Sequence, residues 1–374
     1  MINKNKDKGI TLVALVITII ILLILATISI QSLTNTGLFA KAKEAREKSQ
    51  NAEENQAKIL NEYEDELNKY ISGNVKNQVK KIADNINKVL STTDNTELQD
   101  SYGNKIVVPA GFKIVSDSTI NIDKGVVIED ATSAETAGSQ FVWVPVGTIY
   151  TNSEHIDSNK KIITLGRYDF DEITGAEKIY VGDYVEEDRG DTTVALKNYG
   201  NKIAQNITDF KNSVTKNGGY YIGRYEARKN SNGMTTEIAT DTVYYDITQQ
   251  EASEKSQNMY SSTEFTSDLI NSYAWDTATL FLQSFGNNKT YSRKNSLNVE
   301  TLEENGTIDD KQCNVFDMAS NLMEWTTETF NGEEAGVLRG GRYNDSYIYT
   351  GWRGHNKASV IYIGFGFRPI LYLK

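Results

Sequence analysis

The stretch NVFDMASNLMEW, Asn314–Trp325, sets Asp317, Asn321 and Glu324 on a short arc, with Ser320 and Leu322 between them. Two carboxylates, an amide and the intervening carbonyls are the donor set of a hard divalent cation, which takes roughly six to eight oxygens. The same residues suit a buried corner. There Asn321 and Glu324 would satisfy backbone donors while Met318, Met323 and Trp325 fill the core. Carboxylates this close repel unless something cationic joins them, which tilts the reading toward a structural Ca²⁺. What surrounds the stretch decides between a catalytic loop and a structural one.

The chain has 374 residues, with 21 Tyr, 27 Gly and only 3 Pro. Its length exceeds one typical domain, so a body with appendages is expected. Abundant Tyr and Gly favour loop-rich β structure. The net charge of −11 argues against nucleic acid as a partner, because phosphate binding needs clustered Lys and Arg. One Cys, Cys313, excludes an intramolecular disulfide, and two His, His155 and His355, leave little for a multi-histidine metal site.

At the N-terminus Lys4, Lys6 and Lys8 precede a charge-free run from Ile10 to Ile30. Such a run reaches about 30 Å as a helix, enough for a single membrane pass. The basic flank predicts a cytoplasmic N-terminus and an extracellular body at the cell membrane or surface. Residues 38–90 are charged with narrow apolar stripes: Ile59, Tyr63, Leu67 and Tyr70, then Val75, Val79, Ile82, Ile86 and Val89. This predicts a helical stalk, with 91–104 as a polar linker. From Lys105 the runs KIVVPAGFKIV, TINI, GVVIED and QFVWVPVGTI predict short strands. One helix is expected over Asp191–Lys211. Another is expected in SYAWDTATLFLQSFG, with Trp275, Ala278, Phe281, Leu282 and Phe285 on one side.

Lys8-Gly9-Ile10-Thr11-Leu12 resembles the leader junction of type IV prepilins and type II secretion pseudopilins. The resemblance implies cleavage between Gly9 and Ile10, a leader over 1–9 and a pilin-like helix over 10–37. It also implies other pilins or secretion-system subunits as partners. Ala14 stands where that pattern has Glu, which points to a minor pilin, a tip pilin or a plain anchor rather than a repeating subunit.

Farther along, FVWVPVGTI, YYIGRYEA, AWDTATLFLQSFG, NVFDMASNLMEW, VLRGG and GFGFRPIL follow in the order seen in the formylglycine-generating-enzyme (sulfatase-modifying-factor) family, which they resemble. The resemblance implies an α+β fold class for the whole chain: a helical N-terminus and stalk, then an irregular, β-rich, C-type-lectin-like domain over 105–374. It also implies Ca²⁺ held by Asp317, Glu324 and the carbonyls of Ser320 and Leu322.

The family's chemistry is not carried over with its motifs. The sulfatase-modifying branch places a Cys pair after Arg-Gly-Gly, and those positions fall near Asp345 and Thr350 here. Thiolates are the soft ligands that copper chemistry requires. The residue counts therefore weigh against catalysis and assign no catalytic residue. The alternative is an exported enzyme of the formylglycine-generating or non-haem iron type with a divergent active site. The favoured expectation is a membrane-anchored or pilus-incorporated display protein whose head binds an extracellular glycan or protein. Its candidate face is the last long loop: Tyr343, Asn344, Asp345, Tyr347, Tyr349, Trp352, Arg353, His355 and Asn356.

Overall fold

The computed structural model describes residues 15–28, 41, 48, 79–115, 120–133, 135–186, 207–230, 233–236, 243–296, 301–302, 306, 310–330 and 335–374. It divides into two compact units, residues 1–78 and 79–374. In the first, residues 15–28 are helical. Among the described residues no helix is long and apolar enough to cross a membrane. The Gly9–Ile10 junction, Ala14 and nearly all of the expected stalk up to residue 78 lie outside the described residues.

The second unit begins earlier than the sequence suggests. Residues 79–90, expected in a second stalk helix, are not an α-helix; their one helical turn is the 3-10 segment Ala83–Asn85. They form a strap: Ile82 N–H donates to the Gln99 carbonyl at 2.9 Å and Asn87 N–H to that of Ile114 at 2.8 Å. Ile82 is fully buried beside Leu98, Ile106, Leu371 and Leu373. The heptad-like spacing read as a helix stripe here serves an extended segment with a few inward side chains. The 91–104 linker likewise contains a strand.

In chain order the strands are β1 (Thr96–Gln99), β2 (Lys105–Val108), β3 (Phe112–Ile114), β4 (Val127–Asp130), β5 (Gln140–Pro145), β6 (Gly147–Tyr150) and β7 (Lys160–Ile163). Then come β8 (Tyr168–Phe170), β9 (Glu177–Ile179), β10 (Tyr184–Val185), β11 (Gly219–Gly223), β12 (Arg228–Asn230), β13 (Gly233–Thr235) and β14 (Phe265–Leu269). The last are β15 (Lys311–Gln312), β16 (Val315–Phe316), β17 (Met323–Phe330), β18 (Ala335–Arg339), β19 (Arg353–Lys357), β20 (Phe365–Phe367) and β21 (Pro369–Leu373). Three α-helices accompany them: α1 (Ile207–Asn217), α2 (Gln249–Met259) and α3 (Ser272–Phe285).

Six strands form one sheet in the order β14-β21-β11-β5-β4-β3, all antiparallel. A second sheet runs β10-β17-β18-β19, with β20 parallel to β17. Of the TINI run the described residues 120–122 are not a strand, and Ile122 opens the 3-10 turn Ile122–Lys124. The helix expected over Asp191–Lys211 is described as α1, Ile207–Asn217, and its earlier part lies outside the described residues. α3 is as expected. Asn271 caps it by accepting from Ala274 N–H, and Trp275, Ala278, Phe281, Leu282 and Phe285 are all buried. Burying large apolar and aromatic side chains, each worth about 1.5–3 kcal/mol, makes this helix a main fastening between the sheets.

Candidate functional site

The corner at Asn314–Trp325 is built from residues that tolerate a left-handed backbone. Asn314, Asp317 and Asn321 have φ of 65°, 64° and 62°, and Asn and Asp adopt that region more readily than other side chains. The turns bury their polar groups inward. Glu226, the acid next to last in YYIGRYEA, accepts from Leu322 N–H at 3.0 Å and from the Asn321 amide at 2.6 Å. Asp310 accepts from Ala319 N–H at 2.7 Å and pairs with Lys294 at 2.7 Å. Met318 and Trp325 are buried completely.

Glu324 departs from its expected role. Arg368, from GFGFRPIL, engages both of its carboxylate oxygens at 2.6–3.0 Å, and both side chains are wholly buried. The positive partner that the neighbouring carboxylates require is, for Glu324, a guanidinium. Glu324 is therefore withdrawn from the expected calcium set. Asp317 is different: its Oδ2 accepts from Gly306 N–H at 2.9 Å, while its buried Oδ1 has no partner among the described residues. Burial pushes Asp317 up to about 7, with Asp310 and Glu324 adding to the rise. Burial, then Asp317 and Glu324, hold Glu226 well above the carboxylate range. Four buried carboxylates (Glu226, Asp310, Asp317, Glu324) thus face two cations, Arg368 and Lys294, a crowding that raises Glu226 and Asp317 toward their protonated forms. Hard oxygen donors, that shortage of cations and the orphaned Oδ1 fit a divalent cation at Asp317. Ser320 and Leu322 follow Asp317 in the same turn, and Ser320 N–H lies 3.4 Å from the Asp317 carbonyl. Among the described residues no three acidic, His or Cys side chains are gathered tightly enough to hold a metal by themselves.

The corner braces the loop that follows β18. Gly340, at φ 78°, lies so close to the corner that an added Cβ would sit 2.6 Å from the Met318 carbonyl oxygen. An added Cβ at Gly341 would collide with the Ala319 carbonyl. Tyr343 N–H then donates to the Asn321 carbonyl at 2.8 Å. Only glycines allow this approach, which is why Arg-Gly-Gly opens the loop.

Beneath the loop lies a charged network that the sequence reading missed. Asp276, on α3, pairs with Arg339 and Arg353; Glu328, on β17, pairs with Arg353 and Arg167. Asp276, Glu328 and Arg339 are fully buried. Arg339 donates to the Trp352 carbonyl at 2.8 Å and Trp275 Nε1 to the Thr350 carbonyl at 2.9 Å, so the loop backbone is pinned from below. Glu186, beside Glu328, accepts from Ser272 N–H at 2.7 Å and from the Thr327 hydroxyl. Burial and then the Glu328 charge push it up to about 7, against the pull of those donors and Arg167. The signal for this network was an acid inside the otherwise apolar helix run AWDTATLF and an arginine ending the apolar strand AGVLR.

The candidate face is divided by this network. Arg353 is inside it, and Tyr343 is buried at 8% exposure. Trp352 packs against a core cluster, and Tyr349 lies under the Arg293 guanidinium at 3.7 Å. Asn344, Tyr347 and His355 are exposed, while Asp345 and Asn356 are half-buried. His355 stacks on Phe330 with centroids 4.1 Å apart and lies 3.2 Å from the Tyr184 hydroxyl. The structure adds neighbours that the sequence reading did not choose. Tyr347 N–H is held by Asp345 at 3.0 Å, Asp345 by Arg342 at 3.3 Å, and Arg342 stacks over Tyr362 at 5.6 Å. Tyr347 is 89% exposed, and Ile361, Tyr362 and Ile363 are exposed as well.

At the two positions where the resembling family carries thiols, Asp345 is paired with Arg342 and Thr350 is fully buried. Cys313 sits in the β15–β16 turn, where burial pushes its thiol up to about 12, too high for a thiolate nucleophile.

Arg339, Gly340, Gly341 and the corner converge on one loop, and Arg368 locks the corner through Glu324. Residues 245–372 match the sulfatase-modifying factor enzyme 1-like domain family. The matched span takes in AWDTATLF, the corner, VLRGG and GFGFRPIL, while FVWVPVGTI and YYIGRYEA lie before it. The irregular, β-rich second unit fits this sulfatase-modifying-factor type of fold. No curated protein matches the chain. Among solved structures it is similar to PvdO from Pseudomonas aeruginosa, at 11% identity over 42% of this chain and 82% of that one, TM-score 0.32. It is similar to CarF at 12% identity over 42% of this chain and 87% of that one, TM-score 0.31. It is also similar to Treponema denticola variable protein 1, at 12% identity over 62% of this chain and 95% of that one, TM-score 0.27.

Proposed function

We propose that this chain is a cell-surface display protein, anchored in the membrane through residues 10–30 by a pilin-like helix, whose C-type-lectin-like head binds an extracellular glycan or protein without catalysis. The observation that carries the reading is the patch at Arg342, Asp345, Tyr347 and Tyr362. It presents exposed aromatic groups beside a guanidinium on a backbone pinned by Arg339, Trp275 and the corner. Tyr and Arg on a rigid frame bind with little entropic cost, and such residues dominate binding hot spots. Calcium in this reading is structural and sits at Asp317, not at Glu324. The Asp345 and Thr350 positions support the non-catalytic reading, because neither can furnish a soft metal ligand.

The test is a glycan and surface-protein array probed with the full chain, repeated with Tyr347→Ala and Tyr362→Ala. A specific ligand whose affinity falls at least about tenfold in either variant supports the proposal. Binding indifferent to both variants moves the site elsewhere. Stoichiometric copper or iron with oxygen-dependent turnover would instead make the head an enzyme. An N-terminus intact at Met1 in membrane fractions would count against cleavage at Gly9–Ile10 and against the pilin-like processing.

A further inference from the structure

A second surface, separate in its residues from the patch above, has its own chemistry. The last turn of α3 leaves carbonyls unpaired, as every helix end does. Two lysines from different elements converge there. Lys161, on β7, donates to the Ser284 carbonyl at 2.6 Å. Lys289, from the loop after α3, donates to the same oxygen at 3.2 Å and to the Gly286 carbonyl at 2.7 Å. One cation at a helix C-terminus is common and favourable. Two sharing a single acceptor oxygen repel each other, and among the described residues neither is paired with a carboxylate. Nearby Lys124 has its own partner in Asp123, at 2.9 Å. Burial, then Lys289 and Lys124, lower Lys161 from the usual lysine range. In a chain of net charge −11 such a site stands out.

The lysines border a groove of about 530 Å³ lined also by Ile162, Thr174, Ala176 and Glu177. Its wall is fixed rather than loose: Gln283 donates to the Gly175 carbonyl at 2.9 Å, tying the β8–β9 turn to α3. Among the described residues the strands at its sides each pair with one neighbour, β7 with β6 and β9 with β8. Large apolar side chains on these two hairpins face water, with Ile162 at 63%, Ile173 at 89% and Ile179 at 72% exposure. Strand edges beside exposed isoleucines suit an extended peptide, which adds main-chain hydrogen bonds and places alternate side chains. Among the described residues that line the groove none is aromatic, so they form no stacking platform for a sugar.

We propose that the groove between β7, the β8–β9 turn and the end of α3 docks an extended acidic segment of a partner protein, with Lys161 and Lys289 receiving its carboxylates. The test uses the purified full chain and fluorescence anisotropy with labelled peptides of alternating Glu and Val, alternating Lys and Val as control, and dextran sulfate as competitor. The Glu–Val peptide is expected to bind and the Lys–Val peptide not. Lys161→Met with Lys289→Met is expected to weaken binding about tenfold, and Ile162→Asp severalfold, with unchanged circular dichroism. Should the double variant fail to fold, Ile162→Asp and Lys289→Gln alone decide. No binding of the Glu–Val peptide, equal binding of both peptides, or indifference to the variants overturns the proposal. So does dextran sulfate binding that depends on the lysines but not on Ile162, which would assign the groove to an anionic polysaccharide.

Discussion

Replacing Arg368 by Met removes the guanidinium that pairs with Glu324 in a wholly buried pocket. Arg368 engages both Glu324 oxygens and also donates to the Gly223 and Phe316 carbonyls, each at 2.9 Å. Methionine fills most of the volume but leaves a buried carboxylate beside Glu226 and Asp317. Breaking a buried pair by deleting one partner costs about 3–5 kcal/mol, chiefly through the stranded charge. Against a total stability of about 5–15 kcal/mol this is a large fraction. The assay is urea unfolding followed by tryptophan fluorescence, since Trp143, Trp275 and Trp325 are fully buried and report loss of the core. Adding Glu324→Gln removes the stranded charge, so the double variant is expected to be more stable than Arg368→Met alone. A single-variant loss below about 1 kcal/mol, within the range of an ordinary surface pair, would refute the reasoning. So would a double variant less stable than the single one.

Three further outcomes follow from the same geometry. Calcium is expected to raise the unfolding midpoint of the native chain and EDTA to lower it, with the response lost in Asp317→Asn; differential scanning fluorimetry reads this directly. Glu186 has a folded pKa of about 7, above its ordinary value of 4.5. The unfolded chain then gives up its proton first, and stability present below about pH 4.5 is lost as pH rises to about 7. Glu186→Gln should flatten that part of the stability–pH curve, measured by urea midpoints between those limits. Tyr347→Ala, at a side chain 89% exposed, should leave the midpoint within about 0.5 kcal/mol of native, as surface substitutions do. A larger loss would show that Tyr347 packs in the fold rather than serving the displayed face.

The parts of the fold legible in the sequence were those with local periodicity or a distinctive turn. The α3 stripe from Trp275 to Phe285 and the runs KIVV and QFVWVP announced themselves, because helix and strand periods are written in adjacent residues. The corner was legible as a place but not in its bonding. Arg368 lies 44 residues from Glu324 and Glu226 lies 96 from Leu322, and no local pattern couples such positions. The strap at 79–90 misled for the opposite reason: apolar residues at spacings of three and four read as a helix face, while tertiary contact with β1 and β3 set the backbone. The candidate face was legible by composition. Its division into buried and exposed side chains depended on Asp276 and Glu328, acids whose partners arrive from three different strands or loops.

The place of β21 has a consequence for how the head is made. This strand, the last in the chain order described, lies between β11 and β14 and pairs with both. Until Pro369–Leu373 has left the ribosome, β11 and β14 present open edges, and the cluster holding Ile82, Leu98, Leu371 and Leu373 cannot close. The earliest and latest residues of the unit must therefore meet before either is stable. Such long-range closure is slow and leaves aggregation-prone edges exposed meanwhile. A nascent head of this kind depends on being kept apart from its copies until β21 has emerged, and stalling near residue 365 should be far more harmful to its solubility than stalling within the N-terminal unit.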